Sequence, residues 1–246
     1  MTIPAVVCGR TGRMATLIAD AVRADPGLEL AARLTTRTLG LPTQDIPSVD
    51  HLAAVASLEP VVVIDFTARQ ATAVLLDQAM TVGCSLVIGT SGLGDAERDL
   101  LAEVGRSRAV VVAANFSLVL LAVARFIRDL SAQVGPTWDA GIMDVHFAGK
   151  RDRPSGTARF LAEQWHGARG NHELTPDVAA FRMGDAVSEH RVLAAGSGEH
   201  VEVLHRVADR KAFLPGVLCS VRFAAHAQPG IYSLEDVACD AATARK

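Results

Sequence analysis

The stretch that decides the fold is Ala5-Val6-Val7-Cys8-Gly9-Arg10-Thr11-Gly12-Arg13-Met14-Ala15, which continues into Thr16-Leu17-Ile18-Ala19-Asp20-Ala21-Val22. The apolar opening reads as a short strand, the glycines as a tight turn, and the rest as a helix with apolar residues at helical spacing. Strand, glycine turn and helix, in that order, make a dinucleotide-binding fingerprint credible. Gly9 permits the turn and Gly12 lets the backbone approach a pyrophosphate, with Arg13 and Met14 following at the helix start. Thr11 and Ala15 stand where glycine is common in such turns.

Outward from this turn, Leu28–Leu34 reads as a second strand and ends in Thr35-Thr36-Arg37. A NAD-type fold places an acidic residue there to hold the ribose hydroxyls. Hydroxyls and a guanidinium instead favour a 2′-phosphate, so the expected cofactor is NADPH in preference to NADH. The plain alternative is a polar strand end with no cofactor contact. Further on, Val61-Val62-Val63-Ile64-Asp65-Phe66-Thr67 is an apolar run of the kind found in a buried parallel strand. Ser85-Leu86-Val87-Ile88 runs into Gly89-Thr90-Ser91-Gly92, and Ala109-Val110-Val111-Val112 into Ala113-Ala114-Asn115-Phe116-Ser117, with helix-period segments between. Strands alternating with helices predict an open α/β sheet, whose ligands bind at the carboxyl ends of the strands. Phe66, Thr67, Gly89, Ser91, Ala114, Asn115 and Phe116 should then line one crevice.

Composition narrows the function. The 246 residues are 50% hydrophobic and 21% charged, enough apolar material for a sizeable core of one or two domains. A formal net charge of −3, with Lys and Arg dispersed, gives no case for nucleic acid or for an anionic membrane surface. Neither a signal-peptide pattern nor a membrane-length apolar run is found, which predicts a cytoplasmic protein. Cys8, Cys84, Cys219 and Cys239 lie far apart in or near apolar segments and read as buried free thiols; zinc spacing is absent and no metal is expected.

After Ser117 the periodicity changes. A long amphipathic helix, 118–132, leads to a strand over Trp138–Val145 and then to His146-Phe147-Ala148-Gly149-Lys150-Arg151-Asp152-Arg153-Pro154-Ser155-Gly156-Thr157-Ala158. Ser155-Gly156-Thr157 opens a helix whose free N–H groups and dipole attract an anion such as a carboxylate. Lys150 can add full positive charge beside it, and His146 can exchange a proton near neutral pH. The bland alternative is a capped helix after a polar loop. A polar loop is predicted over Asn171–Val178, then strands Ala179–Arg182, Glu189–Ala194 and Glu199–Arg206, the last clearly alternating. Helix and antiparallel sheet together make an α+β unit. An apolar helix over Val217–Ala225 and a tail near Tyr232–Val237 return to the first sheet. The expected divisions are 1–117, 118–210 and 211–246.

In order along the chain, Gly9-Arg10-Thr11-Gly12-Arg13-Met14, Ile64-Asp65-Phe66-Thr67, Gly89-Thr90-Ser91-Gly92, Ala113-Ala114-Asn115-Phe116-Ser117, His146 to Ala158, Arg182-Met183-Gly184-Asp185, Glu189-His190 and His205 to Arg210 resemble the dihydrodipicolinate reductase family of lysine biosynthesis. The Lys-x-Asp-x-Pro-Ser-Gly-Thr-Ala string is its most specific part. The resemblance implies a Rossmann-type dinucleotide-binding domain and an α+β domain that binds substrate and builds a homotetramer. It implies an NAD(P)H-dependent reductase acting on a cyclic imine carboxylate, 4-hydroxy-tetrahydrodipicolinate. It places Gly9, Gly12, Arg13 and Met14 on the pyrophosphate, Thr35 to Arg37 near the adenosine ribose, and the carboxyl-edge turns around the nicotinamide. His146 falls on the general acid, Lys150 on the essential lysine, and Ser155, Gly156 and Thr157 on the grip for a substrate carboxylate.

The departures cluster at the substrate. Phe147 replaces a second histidine, Ala148 and Gly149 replace basic residues, Arg151 and Arg153 replace small ones, and Leu118 to Leu121 replaces a Gly/Asn continuation. They leave room for an imine reductase serving another pathway, for a dehydrogenase run toward reductive amination, and for a non-enzymatic NADPH-binding protein. His190, His200 and His205 read as surface or core histidines, with His190 and Arg210 as exceptions implied by the resemblance.

Overall fold

The first strand, β1 (Ile3–Cys8), has Ala5 and Val6 wholly buried and Val7 nearly so. In the computed structural model, which describes residues 2–35, 48–58, 61–168, 175–185 and 188–243, the chain divides into two units: Met1–Phe116 with Phe213–Lys246, and Ser117–Ala212. In the first unit β1 is followed by α1 (Arg13–Ala24), β2 (Leu28–Leu34), β3 (Ser48–Val49), β4 (Val62–Asp65), α2 (Arg69–Thr81), β5 (Ser85–Ile88), α3 (Asp95–Gly105) and β6 (Ala109–Val112). The second unit contributes α4 (Leu118–Val134), β7 (Asp139–His146), α5 (Gly156–Gly167), β8 (Asp177–Arg182), β9 (Ser188–Gly196) and β10 (Glu199–Val207). The chain then returns to the first unit with α6 (Leu214–His226), β11 (Gly230–Tyr232) and α7 (Leu234–Thr243).

The first unit carries a seven-stranded parallel sheet in the order β11-β6-β5-β4-β1-β2-β3. Its strands are apolar throughout because both faces are covered. Val6, Cys8, Val63, Leu86, Ile88 and Val110 pack into one cluster with residues of α2 and α3. Their neighbours Val7, Val62, Ile64, Val87 and Val111 are equally buried, and α1 and α6 pack on these strands. The chain runs outward from β1 through β2 in one direction and from β4 through β6 in the other, so the strand order reverses between β1 and β4. That reversal is where a doubly wound sheet leaves a crevice for a ligand.

The second unit has a four-stranded sheet in the order β10-β9-β7-β8. Its β10/β9 and β7/β9 pairs are antiparallel and its β7/β8 pair is parallel, so the sheet is mixed where the sequence predicts an antiparallel one. The cause is α5, which lies in the chain between β7 and β8 and supplies the crossover that parallel neighbours need. Strand β8 begins at Asp177, within the loop predicted over Asn171–Val178. Helices α4 and α5 bury one face through Leu120, Ala124, Ile127, Ala158, Leu161 and Trp165, against Ile142, Val192 and Ala194 of the strands. No helix among the described residues is long and apolar enough to cross a membrane. Cys8 and Cys84 are buried free thiols as expected, but Cys219 is half-buried and Cys239 exposed, Cys219 lying off the buried face of α6 formed by Gly216, Val217, Ser220, Val221 and Ala224.

One contact ties α6 to the crevice. Gly216 lies so close to the Phe116 carbonyl oxygen that any Cβ would collide with backbone. Gly216→Ala must displace either the helix or Phe116, an overpacking cost of about 1–3 kcal/mol. Denaturant unfolding should show the lower midpoint; an unchanged midpoint would mean that the backbone gives way without strain.

Candidate active site

In the first unit the residue after β1, Gly9, adopts φ +87, a left-handed conformation that favours glycine. Gly12 is the N-cap of α1, offers no side chain to the first-turn N–H groups, and no acidic residue lies in that turn. The result is an open helix terminus suited to phosphate. Ala15 packs beneath: Cβ atoms added at Gly9 and Gly12 would meet its methyl at 3.5 and 3.8 Å. Arg13 is exposed and Met14 half-buried at the same terminus. Thr35 donates its N–H to the Val49 carbonyl at 2.9 Å, while Thr36 and Arg37 lie outside the described residues.

Arg33, which the sequence reading passed over, braces this turn from within β2. Its Nε donates to the Gly9 carbonyl at 3.0 Å, and its Nη2 donates to Gly9 and, at 3.2 Å, to Arg10. The side chain is only 9% exposed, its partners are carbonyls, and it makes no ion pair among the described residues. Burial accordingly lowers the guanidinium pKa from its ordinary value. An unneutralised cation therefore underlies the glycine turn.

The next turns are joined by Asp65, fully buried at the end of β4. It accepts hydrogen bonds from Thr67 N at 3.0 Å, Thr67 Oγ1 at 2.5 Å, Thr72 Oγ1 at 2.5 Å and Thr90 Oγ1 at 3.3 Å. Phe66 lies over Gly89, where any side chain would strike its ring, and meets Phe116 with ring centroids 5.1 Å apart. Phe66, Thr67, Gly89, Ser91, Ala114, Asn115 and Phe116 thus sit at the carboxyl ends of the adjacent strands β4, β5 and β6. Asp65 was legible as an acid ending an apolar run, but its hydroxyl partners were not.

The second unit assembles a different site by strand register. Asp144 and His146 alternate onto the buried face of β7, Asp144 pairs with His190 of β9, His190 with His205 of β10, and His146 with Arg182 of β8. Asp144 is fully buried. Its Oδ1 lies 2.9 Å from His146 Nδ1 and 3.4 Å from His190 Nε2. Its Oδ2 accepts the Ser155 N–H at 2.8 Å and Arg182 Nη2 at 3.0 Å. Burial works to raise the Asp144 pKa, but its contacts with His146, His190 and Ser155 outweigh that and hold the carboxyl well below the usual carboxylate range. Burial lowers the pKa of both His190 and His205, whose rings stack with centroids 6.1 Å apart. Asp144, His146 and His190 bring potential ligand atoms within 4.8 Å of one another, a spacing that a divalent cation accepts. The adjacent Arg182 guanidinium already supplies the balancing positive charge.

Ser155 caps α5, its Oγ accepting the Ala158 N–H at 3.1 Å and lying 3.3 Å from His190 Nε2. Gly156 has open space where a side chain would be, Thr157 is half-buried, and the first turn of α5 carries no acidic residue. Lys150 Nζ pairs with Asp152 Oδ1 at 2.8 Å. Arg182 Nη2 reaches the Asp152 carbonyl at 2.5 Å, fastening the loop to β8. Phe147 is half-buried, and a Cβ at Gly149 would touch its ring at 3.4 Å. His146, Lys150, Ser155, Gly156 and Thr157 are therefore near one another in the chain's fold, with His190 joining them. His205 backs His190, His200 is exposed, and Arg210 makes no hydrogen bond or ion pair among the described residues. Asp144 and Arg182 were missed, although the Asp-x-His spacing on a strand marks two side chains on one face.

Known proteins match both units. The dihydrodipicolinate reductase N-terminus family model matches residues 3–116, and the C-terminus model matches residues 119–238. The 4-hydroxy-tetrahydrodipicolinate reductase of Rubrobacter xylanophilus is 34% identical, the alignment covering 96% of this chain and 98% of that protein. The enzyme of the same name from Methanocorpusculum labreanum is 31% identical with the same coverage of both chains, 96% and 98%. The dipicolinate-bound dihydrodipicolinate reductase from Paenisporosarcina sp. TG-14 superposes with a TM-score of 0.81 at 21% identity, covering 96% of this chain and 99% of that one, a likeness of fold. With both halves matched in order and relatives above 30% identity along nearly the whole length, this chain belongs to the dihydrodipicolinate reductase family.

Proposed function

We propose that this protein is an NAD(P)H-dependent reductase that converts 4-hydroxy-tetrahydrodipicolinate to tetrahydrodipicolinate on the route to diaminopimelate and lysine. The observation that carries the reading is the junction of a proton-exchanging histidine, His146, with an anion-ready helix terminus, Ser155-Gly156-Thr157, through the single carboxylate of Asp144. The relatives of like length carry the reductase name, which favours this reading over recruitment to another pathway or a non-enzymatic role. The setting we propose is the cytoplasm.

The residues present fit a dinucleotide. Gly9, Gly12, Arg13 and Met14 hold the pyrophosphate at the open terminus of α1, with Thr35, Thr36 and Arg37 toward the adenosine ribose. Phe66, Thr67, Gly89, Ser91, Ala114, Asn115 and Phe116 form the nicotinamide end. NADPH is the preferred form, supported by the absence of an acidic residue at Thr35-Thr36-Arg37 and by the buried charge of Arg33. When bound, the reduced nicotinamide supplies a hydride.

Ser155, Gly156 and Thr157 grip a ring carboxylate through the first turn of α5, and Phe147 forms an apolar wall beside it. Lys150 exchanges its Asp152 partner for the substrate, holding the carboxylate and polarising the C=N bond. Water leaves the 4-hydroxy substrate to give the conjugated ring, and reduction of that ring makes one carbon nucleophilic. His146, directly or through a water it orders, delivers the proton to that carbon.

We further propose a homotetramer assembled through the open face of the second unit's sheet. That face presents Phe181 of β8, Leu193 of β9 and Leu204 of β10, which are 44%, 37% and 45% exposed, beside Met143 and Val145 of β7. Its apolar residues alternate with the ion pairs Arg191–Glu202 and Arg206–Glu189, a mixed face that suits a second copy of the same surface. Phe181→Asp should yield a smaller species by sedimentation velocity; an unchanged mass would exclude this face as the interface.

The activity test is NADPH and NADH oxidation with freshly generated 4-hydroxy-tetrahydrodipicolinate at matched enzyme concentration. Fast turnover, more efficient with NADPH, is expected; tight NADPH binding without turnover would overturn the substrate assignment. His146→Gln should lower kcat by about 10²–10⁴-fold. Lys150→Ala should lower kcat/KM by about 10–150-fold, the loss of one charge-assisted hydrogen bond worth about 1.5–3 kcal/mol. In both variants NADPH should bind with its wild-type affinity, and wild-type turnover in either would remove that residue from the mechanism. Arg33→Met should weaken NADPH binding severalfold by fluorescence titration. Unaltered affinity would show that the turn holds its shape and charge without Arg33.

A further inference from the structure

We propose that Asp144 is a positioning residue for the reduction: one oxygen of its carboxylate orients the His146 imidazole, and the other anchors the N-terminus of α5 that grips the substrate carboxylate. The inference rests on the reading of His146 as the proton donor. Its basis is the division of labour between the two oxygens. Oδ1 faces His146 Nδ1 at 2.9 Å, and Oδ2 accepts the Ser155 N–H at 2.8 Å. The carboxylate is fully buried, shut away from bulk solvent.

Two consequences follow from elementary chemistry. A carboxylate facing Nδ1 keeps the proton on that nitrogen, which leaves Nε2 as the atom that trades a proton with substrate. A carboxylate that also holds Ser155 fixes the position of the α5 terminus relative to that ring. Proton donor and carboxylate grip then share one rigid reference, and substrate held by the grip meets the imidazole in a set geometry.

Arg182 of β8 faces Oδ2, Lys150 and Asp152 face the cluster from the loop, and His190 of β9 and His205 of β10 stand behind it. Burial disfavours protonation of His190 and His205. His146 is the ring nearest to the carboxylate, 2.9 Å against 3.4 Å for His190.

The test uses the full-length enzyme with Asp144→Asn, which keeps the side-chain shape and removes the charge. The pH profile of kcat, the KM for 4-hydroxy-tetrahydrodipicolinate, the NADPH Kd and the histidine ¹⁵N spectrum are measured. The expected result is a kcat lowered by about 10²–10⁴-fold, a pH profile of kcat that differs from wild type, and loss of the Nδ1-protonated His146 signal, with NADPH Kd unchanged. A wild-type pH profile and an unaltered His146 tautomer would overturn the proposal, whatever happens to stability. If Asp144→Asn does not fold, the spectrum of the wild-type enzyme decides, with His146→Gln identifying the resonance. Neutral His146 protonated on Nδ1 supports the proposal, and protonation on Nε2 overturns it. The parent reading fails separately: His146→Gln with wild-type turnover removes the proton donor itself, whereas an inactive His146→Gln beside an Asp144→Asn of unchanged profile removes only Asp144.

Discussion

A carboxylate shut away from water must be met by donors, because an ionised group without partners costs far more than a folded domain has to spare. Asp144 meets that requirement through Oδ2, which takes donors from Arg182 of β8 and from Ser155 at the start of α5, while Oδ1 lies against the rings of His146 from its own strand and His190 from β9. The demand is mutual. The mixed register of the sheet places those groups, and the carboxylate in turn penalises any slip, since moving β7 by one residue would turn Asp144 to the opposite face. The same contacts that stabilise the second unit therefore fix the spatial relation of the His146 ring and the N-terminus of α5.

The first unit solves an analogous problem with hydroxyls. Asp65 ends a wholly buried strand, and Thr67, Thr72 and Thr90 take up its oxygens. Those threonines come from the turn after β4, from α2 and from the turn after β5, so the network stiffens the crevice without placing a formal countercharge there. Beneath the neighbouring glycine turn the arrangement is reversed: Arg33 offers a buried positive charge to carbonyls alone. A site for an anionic dinucleotide benefits from both, because the carboxylate is spent on protein hydroxyls while the cation remains electrostatically available.

Much of this was legible because it is local. Short apolar runs ending in polar turns marked β1, β4, β5 and β6, period-3.6 patterning marked α1 and α4, and Ser155-Gly156-Thr157 announced a helix start through capping chemistry that spans a few residues. The sheet of the second unit was misread as antiparallel because alternation reports which side chains face the core and carries no information on strand direction. Arg33 and Asp144 escaped for a related reason. Their partners lie 24 and up to 46 residues away in the chain, and only the register of neighbouring strands brings them together. Thr36 and Arg37 lie outside the described residues, so the lean toward NADPH still rests on residue chemistry at that point.

The loop between β7 and α5 can vary without touching the groups that hold Asp144. The groups that position His146 belong to strands and to the first turn of α5, whereas Phe147, Ala148, Gly149, Arg151 and Arg153 belong to the loop. None of those loop side chains supports Asp144, so their chemistry varies without disturbing it. Phe147 over Gly149 replaces a polar contact with an apolar surface, and the exposed Arg151 and Arg153 add positive charge around Lys150. Lys150 itself is held by Asp152, whose side chain is 43% exposed. Solvent screening limits such a pair to about 0–1 kcal/mol, so the lysine can leave Asp152 at little cost.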